Sequence, residues 1–230
     1  MPTFVIRMWL PDRPGALGHV ASRIGAVRGD VVGIDILERE GGQAVDELVV
    51  ELPSPGLVDL LVAEVRHVEG VAVEEVRPVT AARHDPRLDA LEAAAQLVGA
   101  DEVDELLDAV VGHAGRVVGA TWVAVADLDG REGGGTLVAS DGAPSGAWLE
   151  AFLVGSRAAD AAGGGASRGS GASDVVWAPL PHSGLALVLG REGVPYRARE
   201  RRQVAALARV VDTRLRELRR ARSRTRHPSR

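Results

Sequence analysis

Over residues 3–10 apolar and polar positions alternate, with Phe4, Ile6, Met8 and Leu10 on one side and Arg7 and Trp9 on the other. A period of two marks a strand with one buried face. After Pro14 the period lengthens: Leu17, Val20, Ala21, Ile24 and Val27 follow helical spacing, with Pro14 suited to the first turn and Gly29–Asp30 as the stop. Residues 31–38 and 44–52 read as two strands joined at Gly41–Gly42, a hairpin dipeptide. Pro53 to Gly56 interrupt the chain. Leu57, Leu60, Leu61, Val65 and Val68 then make a second helical stripe, followed by Gly70 and a last strand around Val71 and Val73. This order predicts a ferredoxin-like βαββαβ fold, an antiparallel four-stranded sheet with both helices on one face. Its uncovered face or edge calls for a partner, and a second copy is the natural one.

Residues 80–86, within the Pro-flanked stretch PVTAARHDP, read as a linker between a first domain (1–79) and a second (87–220). Leu88, Leu91, Ala95 and Val98 suggest one amphipathic helix, and Val103, Leu106, Leu107, Val110, Val111 and Ala114 a second. Asp101, Glu102, Asp104 and Glu105 lie at the start of that second helix, where carboxylates complement its dipole. Residues 119–127 and 135–140 read as a hairpin around Asp129–Gly130, and a helix follows Ser145. From Ala158 to Ser173 the chain is nearly all Ala, Gly and Ser and reads as a flexible loop. Strands at 175–179 and 184–191 precede a long helix from Tyr196, with Val204, Leu207, Ala208, Val211, Leu215 and Leu218 as its buried stripe. Residues 221–230 have no apolar face and are expected to form a disordered basic tail.

Composition narrows the chemistry. All 27 basic residues are arginine, so a Walker lysine and a lysine Schiff base are excluded. The absence of cysteine removes disulfides, thiolate nucleophiles and Cys-ligated zinc or iron–sulfur sites. Arg7, Asp12 and Arg13 interrupt the N-terminal apolar stretch, unlike a signal peptide, and no apolar run is long enough for a membrane span. The expectation is a cytoplasmic protein without a membrane contact. The net charge of −5 conceals an asymmetry: from Arg197 onward 13 arginines face only Glu200, Asp212 and Glu217. Arg201, Arg202, Arg209, Arg214, Arg216, Arg219 and Arg220 flank the apolar stripe of the last helix, as a solvated face, a dimerising helix or a nucleic-acid contact would. Without interleaved aromatics or a reading element, nucleic acid ranks last.

The stretch LPDRPGALGHVASRIGAVRGDVVGIDIL, with its D-R-P-G-A-L turn at Asp12 to Leu17, resembles the first half of an ACT domain. Residues 87–220 resemble a GAF domain in the GATWVAVADLDG strand and turn, the GLALVLGRE strand and the helix led by Tyr196. Together they resemble a two-domain ACT–GAF regulatory protein of a high-GC bacterium. The resemblance implies an α+β chain, with the ferredoxin-like ACT domain followed by a GAF-like α/β/α domain with a central antiparallel sheet. It also implies a homodimer that binds an amino acid where the first turn meets a neighbouring protomer. The implied ligand-binding residues are Asp12, Arg13, Pro14, Gly15, Ala16 and Leu17, with Val31, Val32 and Gly33 of the second strand. Exposed helix-start amides would suit a carboxylate, Gly15 would allow close approach, and Asp12 could receive an ammonium. The competing reading is that Asp12 only stabilises a helix start and Gly15 only permits packing. Serine-sensing members carry a histidine where this chain has Leu10 and an asparagine where it has Asp12, which argues against serine.

No catalytic set emerges. Gly165-Ala166-Ser167-Arg168-Gly169 spells G-x-S-x-G, but inside a Gly/Ala/Ser loop rather than a strand–helix elbow. The six histidines are scattered without metal-ligand spacing, and Asp127-Leu128-Asp129-Gly130 lacks the later ligands of a calcium loop. Trp122, Trp148 and Trp177 serve either as core or as a pocket lining. The expectation is therefore a non-enzymatic sensor of an amino acid or related metabolite, without cofactor or metal, with the GAF-like part as a second sensing or dimerisation module. The alternative is a dimeric scaffold or nucleic-acid-associated regulator that uses the arginine-rich helix.

Overall fold

The computed structural model describes residues 1–79, 86–129, 135–161 and 174–226. Most of the expected linker, the G-x-S-x-G letters, Gly130 and most of the Gly-rich loop lie outside the described residues. The chain divides into two compact units, Met1–His84 and Asp85–Arg230.

The first unit runs β1 (Thr3–Pro11), α1 (Ala16–Ala26), β2 (Asp30–Glu40), β3 (Gln43–Glu51), α2 (Val58–Arg66) and β4 (Ala72–Val79). Its strands lie in the order β2-β3-β1-β4, every neighbouring pair antiparallel, which is the ferredoxin-like arrangement predicted from the periodicity. Gly41 and Gly42 turn the β2–β3 hairpin with φ of 59° and 78°, the left-handed pair that a tight hairpin turn of the right twist requires. Phe4, Ile6, Met8 and Leu10 meet Val20 and Ile24 of α1 and Leu61 and Val65 of α2 in one core.

Two local expectations change. Helix α1 begins at Ala16, two residues beyond Pro14, because Gly15 takes a left-handed φ of 89° and turns the chain into the helix. The predicted solvent side of β1 is also buried: Arg7 is 2% exposed. Its Nε and Nη2 donate to Glu47 Oε1 at 3.0 and 2.7 Å, and Glu47 is its direct cross-strand partner on β3. A charge can sit inside when its complement stands opposite in register, which a period-two pattern on one strand does not reveal.

The second unit comprises α3 (Pro86–Gly99), α4 (Val103–Val118), β5 (Trp122–Asp127), β6 (Thr136–Ala139), α5 (Gly146–Ala161), β7 (Val175–Leu180), β8 (Leu185–Gly190) and α6 (Ala198–Arg226). Its antiparallel sheet has the order β6-β5-β8-β7. Alternation on β8 separates two cores. Leu185, Leu187 and Leu189 face α3, α4 and α6, while Ala186 and Val188 join Ala124 and Ala126 of β5 against Leu149 and Leu153 of α5. The layers are thus three helices, a sheet and one helix. Trp122 meets Trp148 edge-on at 6.4 Å and Trp148 stacks on Phe152 at 5.3 Å, extending the smaller core.

Helix α6 corrects the expected boundary of a disordered tail. It continues to Arg226, well past residue 220, because arginine is a strong helix former and needs no apolar face to extend a helix already anchored by packing. Similarly α5 continues to Ala161, four residues into the stretch predicted as loop, since alanine favours the helix as strongly as it suits a linker. The start of α6 is held by Arg191, 8% exposed overall. All five of its N–H groups are used: Nε to Val194 O, Nη1 to Val118 O and Glu200 Oε1, and Nη2 to Pro195 O and Glu200 Oε2, at 2.7 to 2.9 Å. The guanidinium also lies 4.0 Å over the Tyr196 ring.

Candidate functional site

The turn from β1 into α1 carries the first group of expected ligand residues. Pro11 ends β1, the Asp12 amide donates to Gly42 O at 2.9 Å, and the Arg13 amide folds back to Pro11 O at 2.8 Å. The turn is therefore tied to the β2–β3 hairpin on one side and to its own strand on the other. Asp12, Arg13, Pro14 and Gly15 are exposed, Ala16 is buried, and Leu17 is half-buried against the helix-side core. A Cβ on Gly15 would meet open space, so its glycine is required by the positive φ and not by crowding.

At the mouth of α1 the amides divide. Ala16 N donates to Arg13 O and His19 N to Gly15 O, leaving the N–H groups of Leu17 and Gly18 without an acceptor among the described residues. Two unengaged amides at a helix start favour an anionic group. Asp12 stands at the same end of the sheet, 3.8 Å from Arg39 Nε across a partly exposed pair.

Asp46 belongs to this end as well, and the sequence reading passed over it. It faces Met8 of β1 and Ile36 of β2 in register, on the helix side of the sheet between Ala44 and Leu48. It is 3% exposed, and its Oδ1 is buried without a hydrogen-bond partner. Burial pushes its carboxyl above the ordinary carboxylate value, Arg39 opposes that shift and Asp12 adds to it. The signal was present in AVDELVVEL: Asp46 shares the parity of Ala44, Leu48 and Val50, which makes it an acid on the apolar face.

The second group, Val31, Val32 and Gly33, is not brought to the turn within one chain. Val31 pairs with Val50, which pairs with Phe4, whereas the turn follows Pro11 at the opposite end of β1. Seven residues of extended strand separate the two levels by about 23 Å. Strand β2 is at the sheet edge, its ladder bulging between Val31 and Gly33. It leaves Val32, Ile34 and Ile36 at 52%, 46% and 38% exposure. A Cβ on Gly33 would press on Val49 at 3.0 Å, so this glycine answers to packing. A cavity of about 450 Å³ in this unit lies between α1 and the end of α2, lined by His19, Ser22, Arg23, Ala26, His67, Val68 and Glu69, and includes none of the expected residues.

Among the described residues no group of three histidines and carboxylates is placed to hold a metal, and no helix is long and apolar enough to cross a membrane. No family model and no curated protein matches the chain. Solved structures do. The ACT domain from GTP pyrophosphokinase of Chlorobium tepidum matches at 18% identity and a TM-score of 0.28, covering 34% of this chain and 100% of that one. The C-terminal domain of the MgtC protein from Mycobacterium tuberculosis matches at 17% and 0.30, covering 37% and 95%. An unknown protein from Galdieria sulphuraria matches at 13% and 0.33, covering 96% and 92%. Likenesses of this size establish neither a family nor an activity, and the ferredoxin-like fold of the first unit stands on its own strand order.

Proposed function

We propose that the chain is a non-enzymatic regulatory protein whose first unit is an ACT-type sensor of an amino acid, completed by pairing with a second copy. The observation that carries this reading is the separation of the two groups of expected residues on one sheet, together with the free apolar edge between them. An antiparallel pairing of β2 with β2 of a second copy sets the Val31–Gly33 end of one strand beside the Arg39 end of the other, where Asp12 stands. It would also cover Val32, Ile34 and Ile36, an exposed apolar row of the kind that edge strands otherwise avoid.

In this reading the ligand carboxylate lies on the amides of Leu17 and Gly18, and its ammonium meets Asp12, with the buried Asp46 carboxyl behind the same end of the sheet. Arg13, Pro14, Gly15 and Ala16 shape the turn, and the bulged strand from Val31 to Gly33 of the second copy closes the site. The second unit serves as a GAF-like sensing or dimerisation module, a role supported by its α/β/α layering. The test is a calorimetric screen of the twenty amino acids on the full chain, run beside sedimentation equilibrium. A dimer that binds one amino acid, and loses it on Asp12→Ala or Gly15→Val, is the expected result. A folded protein that binds none of them overturns the reading.

A further inference from the structure

A second cavity, of about 470 Å³, lies within the second unit and is lined by His182, Ser183, Arg216, Arg219, Arg220 and Ser223. The first two come from the turn between β7 and β8. The other four recur on α6 at i, i+3, i+4 and i+7, which puts them on one face of the helix. Three guanidinium groups and an imidazole therefore meet around one space.

The carboxylate beneath this cluster is already spent. Asp212 Oδ2 accepts from His182 N at 3.2 Å and from the ring Nδ1 at 2.6 Å, and Oδ1 accepts from Ser183 N at 3.1 Å and Ser183 Oγ at 2.9 Å. The Ser183 hydroxyl is given to Asp212 and not to the imidazole, so the three groups lock the turn onto α6 and do not form a nucleophile–base relay. With Nδ1 held, Nε2 is the ring nitrogen left for another partner. Glu217 is engaged by Arg214 at 3.2 Å, and Arg219 reaches back to Ser183 O at 3.5 Å. No carboxylate pairs with Arg216 or Arg220 among the described residues, and Arg216 Nε is buried without an acceptor. Converging guanidinium groups, two of them with no carboxylate beside them among the described residues, suit an oxyanion ligand.

We propose that this cavity binds a small phosphorylated metabolite carrying at least two phosphate charges. Arginine forks match phosphate oxygens in paired hydrogen bonds, and three of them exceed what one phosphate group needs. The volume falls within the roughly 300 to 1,000 Å³ of small-molecule sites, leaving room for the organic part of such a ligand. The site stands apart from the amino-acid reading of the first unit and does not depend on it.

Inorganic tripolyphosphate is the probe, titrated calorimetrically into the full chain at about 0.15 M salt, where loose surface attraction is largely screened. The expected result is saturable binding near one per chain, weakened about tenfold or more by Arg216→Ala and by Arg220→Ala. Arg209→Ala removes an exposed arginine from the same helix and should leave affinity unchanged. Arg216→Lys keeps the charge and loses the fork, so weaker binding by a variant with unaltered circular dichroism separates recognition from folding. The proposal is overturned if the folded protein does not bind tripolyphosphate, or if Arg209→Ala costs as much as the cavity variants. It is equally overturned if a single-stranded oligonucleotide binds α6 and tripolyphosphate does not displace it, which would make this a nucleic-acid surface.

Discussion

Replacing Arg191 by methionine tests how the second unit is held together. The pair with Glu200 is deep, with side-chain exposures of 7% and 6% and contacts of 2.7 and 2.9 Å. The substitution takes both guanidinium contacts from the Glu200 carboxylate, which also accepts from the Arg197 amide at 2.7 Å, and removes donors to Val118 O, Val194 O and Pro195 O. Breaking a buried pair from one side costs about 3 to 5 kcal/mol. For a unit near 150 residues, each kcal/mol lowers the midpoint by roughly 2 to 4 °C, so a fall of about 10 °C is expected. Thermal unfolding of the full chain, followed by circular dichroism and tryptophan emission, measures it. Trp122, Trp148 and Trp177 all report on this unit. Adding Glu200→Leu should cost less in this variant than in the wild type, since the pair it would break is already gone. A loss under about 1 kcal/mol, or a Glu200→Leu cost unchanged by the first substitution, would place this pair with weak surface bridges.

Gly190→Ala places a methyl 2.1 Å from the Trp122 ring across β5 and β8, so it should cost at least about 1 to 3 kcal/mol and shift tryptophan emission. At Asp212, burial pushes the carboxyl up, but hydrogen bonds from the His182 ring and backbone and from Ser183 outweigh it and hold the group below 3.8. Its stabilising contribution is present above that value and disappears as pH falls through the folded value, so the acid limb of a urea stability profile should flatten in Asp212→Asn. Asp46 behaves in the opposite sense. Its folded value is raised, so the native state loses stability as pH rises from 3.8 through it, and Asp46→Asn should remove that fall from the urea stability profile of the first unit. Ile34→Arg with Ile36→Arg should give monomers in sedimentation while leaving the fold intact, since both side chains are exposed in the single chain.

The order of elements in the first unit was readable because period, glycine placement and proline breaks all agreed, and Gly41–Gly42 named its own turn. What escaped lay in relations between distant strands. Arg7 finds Glu47 forty residues away, and only the register of β1 with β3 makes that pair visible. Asp46 could have been noticed from parity alone, but the absence of a partner for its Oδ1 is a fact of three dimensions. The candidate site was readable as two sets of residues, Asp12 to Leu17 and Val31 to Gly33. Their separation to opposite ends of the sheet was not, because a linear pattern carries no direction for strands until their pairing is known. The basic face of α6 was evident in composition, whereas its convergence with the β7–β8 turn on one cavity required the fold.

Binding stoichiometry on the intact chain decides whether a paired first unit senses an amino acid. Isothermal titration with the amino acid selected by the screen, on wild type and on the Ile34→Arg/Ile36→Arg variant, links ligand to pairing. One site per chain is expected in the dimer, with an affinity lost with the dimer because Val31 to Gly33 then come from no neighbour. Undiminished binding by the monomeric variant, or no binding of any amino acid by a folded dimer, would contradict it.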